Sequence, residues 1–290
     1  MNPKGKVAVV TDSASSMRPE YPVVQELGVD VLPVEIIFSE GGKLVPCSDF
    51  DITPSELYRR MRESKRIPLT SGAITGAAIE AYQRLASETD SIISIHATSR
   101  HSTVYDSAVN AATHVREQRP ELSIAVIDSR SLSLGIWFLV EQAVLLAQQG
   151  VLLEEIEKEV LATLPKIRFL VTFSTLENAI KGGRVHFLAG YLAALLKIKP
   201  ILELIDGELK ETGRMRTVAK ARQEMINRVR GEKEQIVKMA VMHTNDLKAG
   251  EEVRQELAEF YAKEIPVYEA GAALGVHGGE GAVAIIYQKA

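Results

Sequence analysis

Three short segments place hydroxyls beside a carboxylate or a histidine directly after apolar runs. They are Thr11-Asp12-Ser13 after Val7 to Val10, His96-Ala97-Thr98-Ser99 after Ile92 to Ile95, and Asp128-Ser129 after Ile124 to Ile127. Ser, Thr and Asp are the preferred N-caps of helices, and each segment precedes a helical pattern. Hydroxyls and free N–H groups gathered at helix N-termini also bind anions. For any one loop capping is the commoner role, but loops that converge at the carboxyl edge of an α/β sheet shift the balance towards an anion site.

Two later segments can supply the cation. In LENAIKGGRV, Gly182-Gly183 closes a helix and Arg184 follows the turn, which by itself is a helix end with a solvated arginine. In GAALGVHGGEGAV the glycines around His277 allow a loop backbone to approach a ligand closely, or simply make a tight turn between strands. Templates for covalent or nucleotide chemistry are missing: no G-x-x-x-x-G-K-[ST], no G-x-G-x-x-G, no G-x-S-x-G and no H-E-x-x-H. The six histidines are scattered, and the neighbours His96 and His101 have no matching third ligand, which argues against a metal site. His114 and His186 fall within helical patterns and His243 ends a strand, positions that packing or solvent explains. Donors, a cation and no activated nucleophile point to binding without chemistry.

The elements between these residues must bring them together. In the first part of the chain β-rich runs alternate with amphipathic ones, the pattern of a parallel sheet with crossover helices. The expected order is strand Val7 to Val10, helix Glu20 to Leu27 stopped by Gly28, strand Val31 to Phe38, and a helix opened by Thr53-Pro54 with Glu56 completing a capping box. After the loop KRIPLTS come helix Ile74 to Ala86, strand Ile92 to Ile95, helix Val104 to Arg116, strand Ile124 to Ile127 and a strongly apolar helix Leu132 to Gln149, with Trp137 as a core aromatic. Beyond Gly150 the pattern becomes α+β. It reads as an acidic helix Leu152 to Leu164, strand Arg168 to Phe173, two helices flanking KGGRV, and a hairpin Ile201 to Lys210 turning at Asp206-Gly207. A basic helix Thr217 to Arg230, strand Val237 to Met242, helix Lys248 to Ala262 and strands near Val267 and Val283 follow. The expected architecture is α/β in two domains: residues 1–165 a three-layer domain on a parallel sheet, residues 166–290 an α+β domain, and a ligand between them.

The chain has 290 residues, enough for one large domain or two. Hydrophobic residues at 46% and charged residues at 25% exclude global disorder. With 34 basic against 38 acidic residues the net charge is -4, so there is no general attraction to nucleic acid or to an anionic membrane, and any anion must be held locally. The single cysteine, Cys47, cannot form an intramolecular disulfide or a cysteine-based zinc cluster, and it fits a reducing compartment. The run Val7 to Val10 is too short for a signal peptide or a membrane span, and the apolar Tyr191 to Leu196 is closed off by Lys197 and Lys199. A cytoplasmic location is expected.

Seven segments, in register over nearly the whole chain, resemble the DegV family of bacterial fatty-acid-binding proteins. They are TDSAS at 11–15, PLTSGAI at 68–74, TSRHSTVYDSA at 98–108, VIDSRS at 126–131, TLENAIKGGRV at 175–185, KPILELIDGELK at 199–210 and GVHGGEGA at 275–282. The resemblance implies two α/β domains holding a long-chain fatty acid, with the acyl chain in an apolar tunnel and the carboxylate on hydroxyls and a basic residue. It also implies a non-catalytic partner, without cofactor or metal, that presents the acid to a separate fatty acid kinase related to dihydroxyacetone kinases, which makes acyl phosphate. Position by position, Thr70 and Ser71 match the Thr-Ser of the family's Thr-Ser-Gln-Pro segment and Thr98 and Ser99 its Ser-Ser pair. Arg184 matches the Arg of Gly-Gly-Arg and His277 the histidine of the C-terminal glycine-rich loop. The family's Gln-Pro is Gly72-Ala73 here, and its His-x-Gly-Pro-Gly is His277-Gly278-Gly279-Glu280-Gly281. An inward-facing Glu280 would repel a carboxylate headgroup.

The competing reading is an enzyme, or enzyme subunit, for a small polar anion, with Asp12, Asp128 and Glu280 as acid/base candidates. A long apolar tunnel favours the carrier and a small polar cleft the enzyme. The basic stretch Arg214, Arg216, Lys220 and Arg222 is either a docking surface for the kinase or a solvated helical face.

Overall fold

In a computed structural model the chain is described over residues 6–185 and 198–290. The elements up to residue 163 are β1 (Ala8–Asp12), α1 (Pro22–Leu27), β2 (Asp30–Leu32), β3 (Glu35–Glu40), β4 (Lys43–Ser48), α2 (Pro54–Ser64), β5 (Leu69–Ser71), α3 (Thr75–Leu85), β6 (Ser91–His96), α4 (Val104–Gln118), β7 (Ser123–Asp128), α5 (Leu134–Gln148) and α6 (Leu153–Thr163). There follow β8 (Ile167–Thr172), α7 (Glu177–Lys181), β9 (Lys199–Ile205), β10 (Glu208–Met215), α8 (Val218–Gly231), β11 (Ile236–His243), α9 (Leu247–Ala258), β12 (Val267–Glu269), α10 (Ala272–Gly278) and β13 (Val283–Lys289).

The β-rich runs build a parallel sheet in the order β2-β1-β6-β7. Strand order switches between β1 and β6, so the loops after these two strands flank a crevice at the carboxyl edge. Successive side chains point to opposite faces: Val10, Ile92 and Ile124 join a core with α3 and α4, while Val9, Ile93 and Ile127 join a second core with α5. That second core continues into the C-terminal sheet through Phe169, Val171, Leu202 and Ile286. Helix α5 packs on β1 and β6 on one side and on β8 and β13 on the other, which explains why its sequence is apolar almost all round. Trp137 is buried there.

The C-terminal sheet runs β10-β9-β8-β13-β11-β12, antiparallel except for the β11–β12 pair. Its far face carries Met239, Val241 and Ile285 against α8 and α9. The β9–β10 turn at Asp206-Gly207 has φ of 51° and 80°, the left-handed pair that the dipeptide encodes. Thr53 caps α2 by accepting from Glu56 N–H, with Pro54 opening the helix. Sheet membership changes between Asp128 and Ile167, but the core around α5 is continuous across that change.

The structure departs from the sequence expectation in four places. The run Val31 to Phe38 is not one strand: it breaks at Val34 into β2 of the parallel sheet and β3 of a separate antiparallel sheet ordered β4-β3-β5. Strand β4 was not anticipated, and β5 lies in the segment read as a loop. The segment around His277 is a short helix, α10, rather than a loop or a strand-to-strand turn. The second helix expected beyond KGGRV, and His186 with it, lies outside the described residues. Among the described residues no helix is long and apolar enough to cross a membrane.

Candidate functional site

An apolar cavity of about 110 Å³ lies between the carboxyl edge of the parallel sheet and the C-terminal sheet. Ala14 and Ala97 contribute from the loops after β1 and β6, and Phe169, Val171, Phe173 and Met242 from the opposite sheet. Its polar lining residues are Thr70, His101, Ser102, Arg184, Thr244 and His277. Thr70, Arg184 and His277 also line an open cleft of about 630 Å³, so they form the wall between the apolar space and a route to solvent.

Each of these residues is delivered by a different local device. Thr70 pairs with Ile36 in the β3–β5 ladder and shares its inward face, whereas Ser71 pairs with Glu35 on the other. That is why only one of the two hydroxyls reaches the cavity. Thr70 Oγ1 is hydrogen bonded to His277 Nε2 at 2.8 Å. The His277 ring packs against the backbone at Gly182, where a Cβ would come within 2.5 Å of Nδ1. Gly183, at φ 75°, then turns the chain so that Arg184 donates through Nη1 to the Gly182 carbonyl at 2.5 Å and through Nε to the His101 carbonyl at 3.3 Å. His101 Nε2 in turn accepts from Leu209 N–H on β10.

The electrostatics divide the labour between ring and guanidinium. Burial, then the nearby Arg184 and His101, lowers the His277 pKa to about 3, so the ring is neutral at pH 7. A neutral imidazole has one N–H donor; carried on Nε2, it donates to Thr70 Oγ1 and leaves the Thr70 hydroxyl proton free to donate to a ligand. Nδ1 is buried and has no hydrogen-bond partner. Arg184 is half-buried, and desolvation lowers its pKa from the usual 12.5, yet it stays charged and supplies the positive charge of the site. Together they offer an oriented donor and a cation at the end of an apolar space, an arrangement that suits a carboxylate attached to a hydrocarbon.

The other sequence candidates are placed elsewhere. The Thr98 hydroxyl is wholly buried and donates to the Gly207 carbonyl at 2.9 Å, tying the β9–β10 turn to the loop after β6. Ser99 is exposed and donates to Asp128 at 2.6 Å. Ser71 accepts from Ala73 N–H. None of these three is among the cavity-lining residues. Ser102, one turn further along the TSRHSTVYDSA segment, takes that place and was passed over, as were His101 and Thr244. The spacing of hydroxyls marks the loop but does not say which of them turns inward.

The acid/base candidates are engaged structurally. Asp12 is fully buried and accepts from Ala14 N–H at 2.9 Å and Ala97 N–H at 3.0 Å, with His96 Nδ1 at 3.0 Å; His96 Nε2 continues to Ser94 and Ser94 to the Tyr82 hydroxyl. Asp128 holds Ser99 and Arg130 N–H. Glu280 faces away from the cavity, bound by Arg62 at 2.6 Å and Asn245 at 2.7 Å, so its charge is compensated in the cleft. In the basic stretch, Arg214 pairs with Glu211 and Arg222 with Asp246, while Arg216 and Lys220 are exposed. Among the described residues no group of three or more side chains could hold a metal ion.

Comparison with known proteins agrees over nearly the full length. A family profile described as an uncharacterised protein of the DegV family matches residues 6–290. A DegV domain-containing protein of Listeria monocytogenes is 34% identical over 284 residues, covering 97% of this chain and 98% of the relative. A fatty-acid-binding DegV family protein from Thermus thermophilus superposes with a TM-score of 0.86 at 27% identity, covering 98% of this chain and 100% of that one. DegV of Bacillus subtilis, a fatty acid binding protein, superposes at 0.85 with 24% identity over 99% and 100% of the two chains, a likeness of fold.

Proposed function

The chain belongs to the DegV family, and from that premise we propose that it binds a long-chain fatty acid in the apolar cavity and presents it to a separate kinase. The observation that carries this reading is the contrast within one cavity: apolar walls closed by Thr70, His277 and Arg184, with His277 Nδ1 buried and unpaired. Each methylene taken from water supplies roughly 0.8 kcal/mol, so the chain provides the affinity and the polar end the orientation. In this proposal the carboxylate accepts from Thr70, whose oxygen is held by His277 Nε2–H, and from Ser102, and pairs with Arg184. Thr98 and Ser99 are left to their structural partners.

The enzyme alternative loses ground because Asp12, Asp128 and Glu280 do not line the cavity and are held by other groups. The protein is then a non-catalytic partner whose headgroup end, opening into the cleft beside Arg62, Lys65 and Arg66, is within reach of a docked kinase. A cytoplasmic location follows from that role. Organic extraction of the purified protein followed by mass spectrometry tests the first step. The expected result is a stoichiometric long-chain acid, or its uptake from solution; no acid in the extract together with no uptake of added acid would overturn the proposal.

A further inference from the structure

The histidine at this site stands on a helix that cannot cap itself. Helix α10 starts after Gly271, which has no side chain to satisfy the N–H groups of the first turn. A Cβ at Gly271 would lie 3.3 Å from a carboxylate oxygen of Asp49, which fills that role from 224 positions away. Asp49 Oδ1 accepts from Ala273 N–H at 2.9 Å, and the Ser13 hydroxyl and Ala272 N–H add to the stabilisation of its charged form.

Asp49 is itself held firmly. It is 2% exposed; its N–H donates to the Val34 carbonyl at 3.0 Å, and its own carbonyl accepts from Arg18 Nη1 at 3.0 Å. Ser13 Oγ accepts from Val34 N–H, so the carboxylate is braced against the end of β1. A buried carboxylate is costly unless its oxygens are paired, and here the helix supplies the pairing. His277 lies one turn beyond Ala273 on the same short helix, and Asp49 is not among the cavity-lining residues. The carboxylate therefore anchors α10 to the β1 side of the crevice while Thr70 holds its ring from β5.

We propose that Asp49 is a positioning residue for the headgroup site: its carboxylate fixes α10, and through it the His277 ring, without touching the ligand. This rests on the fatty-acid reading above. The test is a cycle of Asp49→Ala, Asp49→Asn, His277→Ala and the double variants, read by palmitate Kd, by melting, and by ¹⁵N resonances of the His277 ring without ligand. Asp49→Ala is expected to weaken palmitate on the order of tenfold, the loss of a buried helix cap expressed at the site. Asp49→Asn, which keeps one acceptor oxygen, loses less and covers the case in which the alanine variant does not fold.

In the His277→Ala background both Asp49 changes should leave Kd within about twofold, because coupled residues are not additive. Equal losses in both backgrounds, or parental Kd in Asp49→Asn with unmoved His277 resonances, overturn the positioning role. Binding of palmitate by no variant, the parent included, overturns the fatty-acid reading instead, and the ligand-free His277 resonances of Asp49→Asn then decide the positioning role alone: shifted supports it, unchanged ends it.

Discussion

Thr70 Oγ1 lies 2.8 Å from His277 Nε2, across 207 residues of sequence. One partner is on a three-residue edge strand and the other in the last turn of a seven-residue helix, and neither element is stable alone. Each is fixed by what it packs against: β5 by β3, and α10 by α2, α7 and the 3₁₀ turn Ser13–Ser15 after β1. The polar end of the cavity is thus held by tertiary contacts, which in the proposed carrier lowers the ordering cost of binding.

Gly182 is the first point at which this arrangement can be broken. Its φ is -73°, so alanine is permitted by the backbone, but a Cβ would stand 2.5 Å from His277 Nδ1 and 3.0 Å from the Asn178 carbonyl. Gly182→Ala should push the ring off Thr70 and weaken fatty acid binding by about tenfold or more while the fold persists. Titration with a fluorescent fatty acid, alongside the circular dichroism spectrum, checks this; unchanged affinity would mean that the ring moves without consequence.

Stability without ligand should depend on pH through His277. The ring titrates near 6.5 when unfolded and near 3 when folded, lowered chiefly by burial. A lowered folded pKa means that its contribution is fully present above pH 6.5 and is lost as pH falls from there towards 3. The loss approaches about 1.4 kcal/mol per pH unit. His277→Gln should flatten the difference in urea unfolding between pH 7 and pH 4.5. Parallel pH curves for the two proteins would place the imidazole in solvent.

The two serines of one loop give a sharper test of the headgroup assignment. Ser102 lines the cavity, whereas Ser99 is exposed and bound to Asp128. Ser102→Ala should weaken palmitate about tenfold or more, in line with the roughly 1.5 to 3 kcal/mol of a charged hydrogen bond, and Ser99→Ala should leave it unchanged. Isothermal titration of both variants decides between them, and the opposite ranking would return the role to Ser99.

Much of this was legible where the signal is local. Thr53-Pro54 and Asp206-Gly207 encode a cap and a turn within a few residues, and α5 announces a two-sided burial by being apolar all round. The small β4-β3-β5 sheet was not legible. Strand β4 is largely exposed, so no period-two pattern marks it, and β5 is too short to show one. The break near Pro33 between β2 and β3 was hidden because both pieces are apolar. The site followed the same rule. Hydroxyl-rich loops were visible, but whether Thr98 meets a ligand or the Gly207 carbonyl depends on a turn more than a hundred residues away.

The last prediction is that this chain performs no phosphoryl transfer by itself. Such chemistry needs a phosphate cradle and carboxylates free to hold Mg²⁺. Asp12 is fully buried and held by two backbone N–H groups and His96, and Asp128 is held by Ser99 and Arg130 N–H, so a metal ion would have to displace these partners. With ATP, Mg²⁺ and oleate the purified protein should yield no acyl phosphate until a cognate kinase is added. Under the proposed role a kinase would have to reach the headgroup end and grip the protein surface. Arg216 and Lys220 are exposed, while their neighbours Arg214 and Arg222 are already paired with Glu211 and Asp246. Arg216→Glu should therefore lower turnover in the reconstituted system without changing oleate affinity, and unaltered turnover would remove that stretch from the docking surface. Acyl phosphate made by the isolated chain would overturn the carrier reading altogether and return the protein to the enzymes.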